Sequence, residues 1–219
     1  MLLKLGANQG VAEMKNENDY EVSDLARYMR EHPELCYGKV GNGTEYDDCI
    51  YCMLQEVMDN AVDEFRMGYG VQVDVNVDYA SGEMSVRDYG RGVPLRKLDA
   101  CFGCEEQFAG LFADRFSMHN LVTWAGVRKV CALSERLIVR SVRDGDYGEI
   151  VFERGRQISF VHGTCDENEQ NGTCVRWIPD VAIFQDYSIL EESVVNRIAN
   201  CAKANPEMRF ILNGVRVHP

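Results

Sequence analysis

The chain has no excess of positive charge and no long apolar run. Its 219 residues carry 35 acidic side chains against 23 lysines and arginines, which gives a formal net charge of -12. Binding to a nucleic-acid backbone depends on lysine and arginine, so this balance argues against direct DNA binding by the chain. No segment approaches the roughly 18 consecutive apolar residues of a membrane span, and Met1–Gly6 lacks the apolar core of a signal peptide. The sequence therefore predicts a cytoplasmic chain with no membrane contact.

Cysteine, in contrast, is abundant, and the pairs Cys49/Cys52 and Cys101/Cys104 have the spacing of zinc ligands. Zinc binding is one interpretation. The other is that the thiols are small apolar fillers, because Cys49, Cys52 and Glu56 lie at helical positions i, i+3 and i+7. The stretch between the two pairs is also longer than a zinc ribbon needs. The odd total of nine cysteines and the expected cytoplasmic location favour free thiols.

The segment from Leu54 to Phe65 has the pattern of a buried helix with one polar edge. At helical spacing Glu56, Asn60 and two further acidic residues form a narrow stripe, and apolar side chains cover the remaining surface. A helix on a protein surface shows the reverse proportion, so this stripe is predicted to face a pocket. A carboxylate and an amide one turn apart could hold a catalytic water and a hydrated metal ion together. The alternative is an acidic stripe that faces solvent.

An aspartate ends the next predicted element, a hairpin of two strands at Val71–Val77 and Glu83–Arg87. Asp88 follows the second strand, and Gly90 and Gly92 come directly after it. Glycines at these positions let a ligand approach the backbone beside a carboxylate acceptor. The alternative is a turn aspartate at a strand end, with no ligand.

These two segments and a third resemble the motifs of a known ATPase family. The three segments read EVMDNAVDE (residues 56–64), DYGRGVP (88–94) and NGTCVRWIPD (171–180). They are similar, in the same order, to nucleotide-binding motifs of the gyrase/Hsp90/histidine-kinase/MutL superfamily. Within it the resemblance is closest to the B-type subunits of bacterial type IIA topoisomerases, gyrase B and topoisomerase IV ParE, in the ParE-like branch of Bacteroidetes.

The resemblance implies an α+β chain with the Bergerat-type ATPase fold. This fold is a mixed, mainly antiparallel sheet of about eight strands, with helices packed on one face. Residues 1–18 are expected to form a flexible arm and residues 19–219 a single ATP-binding domain of the GHKL type. The family's transducer and TOPRIM domains are expected to be absent from this chain.

Further elements follow from sequence patterns. A hairpin is predicted over Leu137–Arg154, with its turn at Asp144-Gly145, and a polar loop over Val161–Gln170. An amphipathic helix is predicted from Ser188 to Cys201, followed by a last strand at 210–212.

The resemblance also implies a set of site residues. Glu56 would act as the general base, and Asn60 would ligate Mg²⁺ bridging the phosphates of ATP. Asp88 and Thr173 would select adenine. The other residues expected to surround the nucleotide are Gly90, Arg91, Gly92, Pro94, Gly126 and Arg143.

One element of the family is missing from the sequence. Between Leu95 and Cys131 the family has a lid that ends in a glycine-rich loop, whose backbone N–H groups hold the triphosphate. Only Gly126 of those glycines remains, and Trp124 stands at a glycine position. Two interpretations stay open: a divergent but working phosphate site, or a nucleotide-binding pseudo-ATPase domain that acts as an interaction module.

The family's function implies partners. ATP binding would dimerise this domain into a gate for a DNA segment, and hydrolysis would be coupled to strand passage by the complete isomerase. An A-type topoisomerase subunit and DNA would be bound through parts of the protein outside this chain. The family's second domain supplies a lysine to the γ-phosphate, so weak or no turnover is predicted for this chain alone.

Overall fold

The computed structural model describes residues 25–104 and 125–219. The predicted arm at residues 1–18 lies outside the described residues, and so does much of the predicted lid, Trp124 included.

Seven α-helices and one short 3₁₀ turn, at Leu95–Lys97, lie within the described ranges. The helices are α1 (Leu25–Glu31), α2 (Glu34–Tyr37), α3 (Cys49–Arg66), α4 (Leu98–Phe102), α5 (Arg128–Leu133), α6 (Val181–Phe184) and α7 (Glu191–Ala204). None of these helices is long and apolar enough to cross a membrane.

Eight strands of the described chain form one sheet in the order β5-β4-β3-β6-β2-β1-β7-β8. Their bounds are β1 (Gln72–Val77), β2 (Met84–Asp88), β3 (Ser134–Arg143), β4 (Asp146–Glu153), β5 (Arg156–Thr164), β6 (Gly172–Pro179), β7 (Arg209–Leu212) and β8 (Val215–Val217). Only β1 and β7 pair in parallel; the other neighbours are antiparallel. The predicted α+β class and mixed, mainly antiparallel sheet are confirmed.

Burial alternates along the central strands. Val73, Val75 and Val77 of β1 are buried while the residues between them are not, and β6 buries Val175 and Trp177 in the same way. Successive side chains of a strand point to opposite faces, so one face of the sheet carries the core and the other is more open. The helix α3 packs on the buried side against β2, α5 and α7.

The long helix α3 confirms the predicted buried helix. Nine of its side chains are buried, among them Met53, Leu54 and Met58. Glu56 and Glu64 are partly exposed, and Asn60 and Asp63 are exposed. The polar stripe is therefore the one side of α3 that the core does not cover.

The predicted loop from Val161 to Gln170 is wrong in its first part. The edge strand β5 continues to Thr164 and pairs with β4, for example Val161 with Glu149. Every residue of β5 is exposed or partly exposed, so backbone hydrogen bonds to β4 define this strand and burial does not. The apolar side chains of β5, at Ile158, Phe160 and Val161, are all exposed, so they mark no face that packs on the core.

The nine cysteines all lie in the described ranges as free thiols. Cys49 and Cys104 are buried, while Cys52 and Cys101 are partly exposed. Within residues 25–104 and 125–219, no three His, Cys, Asp or Glu side chains are grouped so that they could hold a metal ion.

Candidate functional site

A cavity of about 640 Å³ opens between the polar stripe of α3 and the sheet. Its walls come from α3, from the β2 end and the segment after it, from residues 125–128, and from β3 and β6. Of the ten residues predicted from the sequence, Gly90 alone is not on its wall; those that line it are Glu56, Asn60, Asp88, Arg91, Gly92, Pro94, Gly126, Arg143 and Thr173. The fold thus brings at least five separate sequence segments to one site.

Asp88 is held in place at the floor of the cavity by two backbone donors. The Gly90 N–H donates to Oδ1 at 2.8 Å and the Thr173 N–H donates to Oδ2 at 3.2 Å. Burial raises the pKa of Asp88, and these two hydrogen bonds offset only part of that effect. Asp88 is therefore an acceptor held by neutral donors, with no ion pair to a cation of the described chain.

Gly172, which directly precedes Thr173, explains how β6 comes this close to Asp88. Gly172 has φ +135°, and a Cβ there would lie 2.2 Å from the carbonyl oxygen of Asp88. Only glycine fits both the backbone angle and the spacing. A side chain at this position would push Thr173 away from Asp88.

Gly92 makes a second close backbone approach, at the side of the cavity. Its φ is +75°, and a Cβ would lie 2.2 Å from the carbonyl oxygen of Val142. The Arg143 guanidinium then donates to the Gly92 carbonyl at 2.9 Å, and Ser141 donates to the Val93 carbonyl at 2.8 Å. Gly90 is buried below the cavity, where a Cβ would lie 2.8 Å from Oε2 of Glu64.

Arg91 stands at the rim in a network with Glu64. Its Nη2 and Nε donate to Glu64 at 2.9 Å and 3.2 Å, and its backbone N–H donates to the same carboxylate at 3.1 Å. The guanidinium also lies 4.3 Å from the ring centre of Tyr69. These hydrogen bonds hold the pKa of Glu64 below its usual range. The rim is thereby fixed to the last turns of α3.

Glu56 lies at the other end of the cavity, one helical turn before Asn60. A Cβ added to Gly126, whose φ is +57°, would lie 3.5 Å from Oε1 of Glu56, so this backbone passes beside the carboxylate. The other oxygen, Oε2, is 3.9 Å from Nζ of Lys129. Burial raises the pKa of Glu56 and the Lys129 charge lowers it, with a net rise.

Arg128 connects the two chain segments that border residues 105–124. Its guanidinium donates to the carbonyl oxygens of Ala100 and Ala125, and the Cys104 thiol donates to the Arg128 carbonyl at 3.4 Å. Arg128 also lines the cavity near Gly126. This end of the site therefore carries a cation two residues after Gly126.

Sequence reasoning missed part of the site. It did not predict the apolar wall, which is formed by Val57, Val86, Phe102 and Val175. It also missed Arg128 and Lys129. One signal was present in the sequence: Lys129 directly precedes an apolar run, from Val130 to Leu133.

No protein-family model matches the chain. Individual proteins do match it. The B-type subunit of DNA topoisomerase 4 from Borreliella burgdorferi is 32% identical over 196 residues, which are 88% of this chain and 32% of that protein. The B-type subunit of the type 2 topoisomerase from Aquifex aeolicus is 30% identical over 87% of this chain and 24% of its own length. The DNA gyrase B protein of Archaeoglobus fulgidus is 32% identical over 89% of this chain and 31% of its own length.

A solved structure has the same fold. The crystal structure of the 43K ATPase domain of Thermus thermophilus gyrase B, in complex with an aminocoumarin, matches with a TM-score of 0.69 at 23% identity. The match covers 87% of this chain and 48% of that one. The present chain spans about a third or less of the length of the curated relatives named above. By these sequence matches and this fold, the chain belongs to the family of type IIA topoisomerase B-type subunits and corresponds to their GHKL-type ATPase domain.

Proposed function

We propose that this chain binds ATP with Mg²⁺ and hydrolyses it as the ATPase domain of a complete type II topoisomerase B-type subunit. The observation that carries the proposal is the single cavity that Glu56, Asn60, Asp88 and Thr173 share. A volume of about 640 Å³ is in the range of pockets for small ligands and cofactors.

Adenine recognition is assigned to Asp88 and Thr173. An ionised carboxylate accepts hydrogen bonds only, so it selects a base with an amino group at its edge. Gly92 and the apolar side chains of Val86 and Val175 leave room for a flat ring beside that acceptor. A base with a carbonyl group at the same edge would place a second acceptor against Asp88, and two acceptors form no hydrogen bond.

Hydrolysis is assigned to Glu56, which would take a proton from water as the water attacks the γ-phosphate and ADP leaves. Its raised pKa makes it a stronger base than an ordinary carboxylate. Asn60 offers an amide oxygen, which is a ligand type that suits Mg²⁺ with phosphates and waters. When bound, Mg²⁺ would neutralise charge on the phosphates.

The wider function rests on the relatives. ATP-driven homodimerisation, an A-type partner subunit and DNA held by other parts of the protein are proposed on that basis, with strand passage by the complete isomerase. The cytoplasmic location remains a prediction from the sequence.

The test is calorimetric titration of this chain with a non-hydrolysable ATP analogue plus Mg²⁺, and separately with adenosine. Both are expected to bind, the triphosphate clearly more tightly. Asp88→Asn is expected to weaken both roughly ten- to hundredfold, because a hydrogen bond to a charged group contributes about 1.5–3 kcal/mol. Binding of neither ligand would refute the proposal.

The same titration decides the second candidate, a pseudo-ATPase interaction domain. The retention of only Gly126 from the glycine loop favours this candidate. It predicts that the triphosphate binds no more tightly than adenosine. Turnover that is unaffected by Glu56→Ala would instead contradict the assignment of Glu56 as the base.

A further inference from the structure

Lys129 is a buried cation beside the proposed base. It lies on α5, one residue from Arg128, and is 9% exposed. Lysine is rarely buried to this extent without a partner, because removing an ammonium group from water is costly. The partners of this ammonium therefore show what the residue is placed to do.

Three groups surround the ammonium, and they come from two helices. From α2, the Cys36 carbonyl accepts a hydrogen bond at 3.4 Å, and the Tyr37 ring lies 4.5 Å from Nζ. From α3, Oε2 of Glu56 lies at 3.9 Å. The α2 contacts fix the position of the charge, and among these three groups the carboxylate is the one with an opposite charge.

The two oxygens of Glu56 have different surroundings. Oε2 faces Lys129, whereas Oε1 faces the Gly126 backbone on the wall of the cavity. The other titratable groups that act on Glu56 or feel its charge are Asp59, also on α3, and Tyr37. Asp59 opposes ionisation of Glu56, so Lys129 is the group that favours it.

We propose that Lys129 is a positioning residue, which holds Oε2 of Glu56 and keeps the carboxylate ionised so that Oε1 is free to accept a proton from water. This inference rests on the proposed function, because it gives a role to Lys129 only if Glu56 is the base. Burial favours the protonated form of Glu56, which cannot accept a proton from water, and the charge of Lys129 opposes that effect.

The test measures the pKa of Glu56 directly, by ¹³C NMR titration of the side-chain carboxyl groups of the whole chain, with Glu56→Gln to assign the signal. In Lys129→Met the Glu56 pKa is expected to rise by about one unit, since an opposite charge within about 4–6 Å lowers a carboxyl pKa by that order. Lys129→Arg is expected to keep the wild-type value. Lys203→Met, which removes an exposed lysine near the end of α7, is the matched control.

The acidic limb of the turnover–pH profile should move upward with the Glu56 pKa in Lys129→Met. An unchanged Glu56 pKa overturns the inference, even if the variant is less stable. Lys129→Gln, which can still donate to the Cys36 carbonyl, provides the same comparison if the methionine variant does not fold. The NMR titration needs neither turnover nor nucleotide, so a failure of the proposed function, seen as binding of neither ligand in the calorimetric test, would leave this measurement decisive.

Discussion

Four carboxylates of the described chain form two pairs with opposite electrostatics. Asp48 and Asp180 lie outside the cavity, are fully buried and have a lowered pKa. Glu56 and Asp88 lie in the cavity and have a raised pKa. Burial acts in the same direction on all four, so their partners make the difference.

The carboxylates outside the cavity already bind charged and backbone donors of the fold. Asp180 accepts hydrogen bonds from Arg30 at 2.5 Å, Arg154 at 2.8 Å and the Ala182 N–H at 2.9 Å. It thereby joins α1, the turn after β4 and the start of α6. Such a carboxylate has little capacity left for a ligand.

The carboxylates in the cavity keep that capacity. Asp88 has two neutral backbone donors and no ion pair within hydrogen-bond distance in the described chain. Glu56 has one cation at 3.9 Å, beyond hydrogen-bond distance. Their raised pKa values show that ionising these carboxylates costs folding stability, and in the proposed function a ligand supplies their remaining partners.

The largest effect that would test this contrast is expected on the free energy of unfolding, from a change at Asp180, which lies outside the cavity. Asp180→Asn is expected to lower the free energy of unfolding by about 2–3 kcal/mol, because it leaves buried donors facing an uncharged side chain. Urea denaturation measures it, with the exposed Asp186→Asn as control, expected within about 0.5 kcal/mol.

The sign of the pH dependence follows from the lowered pKa of Asp180. Its stabilising contribution is complete above the unfolded pKa of about 3.9 and is lost as the pH falls through the lower folded value. The wild-type chain should lose this contribution in acid, and Asp180→Asn should not. Equal acid sensitivity of the two would contradict a lowered pKa for Asp180.

The next effect is on ligand binding at Asp88. Its folded-state pKa is raised, so the penalty for ionising it is complete above that pKa and is relieved as the pH falls through it. Adenosine affinity should fall over the same interval, because the protonated acid is a weaker acceptor. Titrations at several pH values measure this, and a flat profile for Asp88→Asn is the control. A wild-type affinity that does not change with pH would argue against a charged acceptor.

The smallest effect is expected at the rim, where the ion pair between Glu64 and Arg91 is partly exposed. Glu64→Gln should lower the free energy of unfolding by less than about 1 kcal/mol, since solvent and salt screen such pairs. The loss should shrink further when denaturation is repeated at high salt. A cost as large as that of Asp180→Asn would mean that the rim belongs to the core of the fold.

The sequence predicted those parts of the fold that depend on local patterns. The polar stripe of α3 and the hairpins β1–β2 and β3–β4 are encoded by periodicity and turn residues, and the structure confirms them. The exposed edge strand β5 was not predicted; its apolar alternation covers only Ile158 and Phe160, and no side chain of the strand is buried.

The sequence by itself also predicted nine residues that line the cavity, most of them through three short motifs whose glycines and carboxylates can be recognised without coordinates. Only the tertiary structure decided what surrounds those residues. It places Lys129 beside Glu56 and the Gly172 backbone against Asp88, contacts between positions far apart in the chain. The pKa of a buried carboxylate depends on charges and donors within a few ångströms, and the fold, rather than sequence proximity, sets those distances.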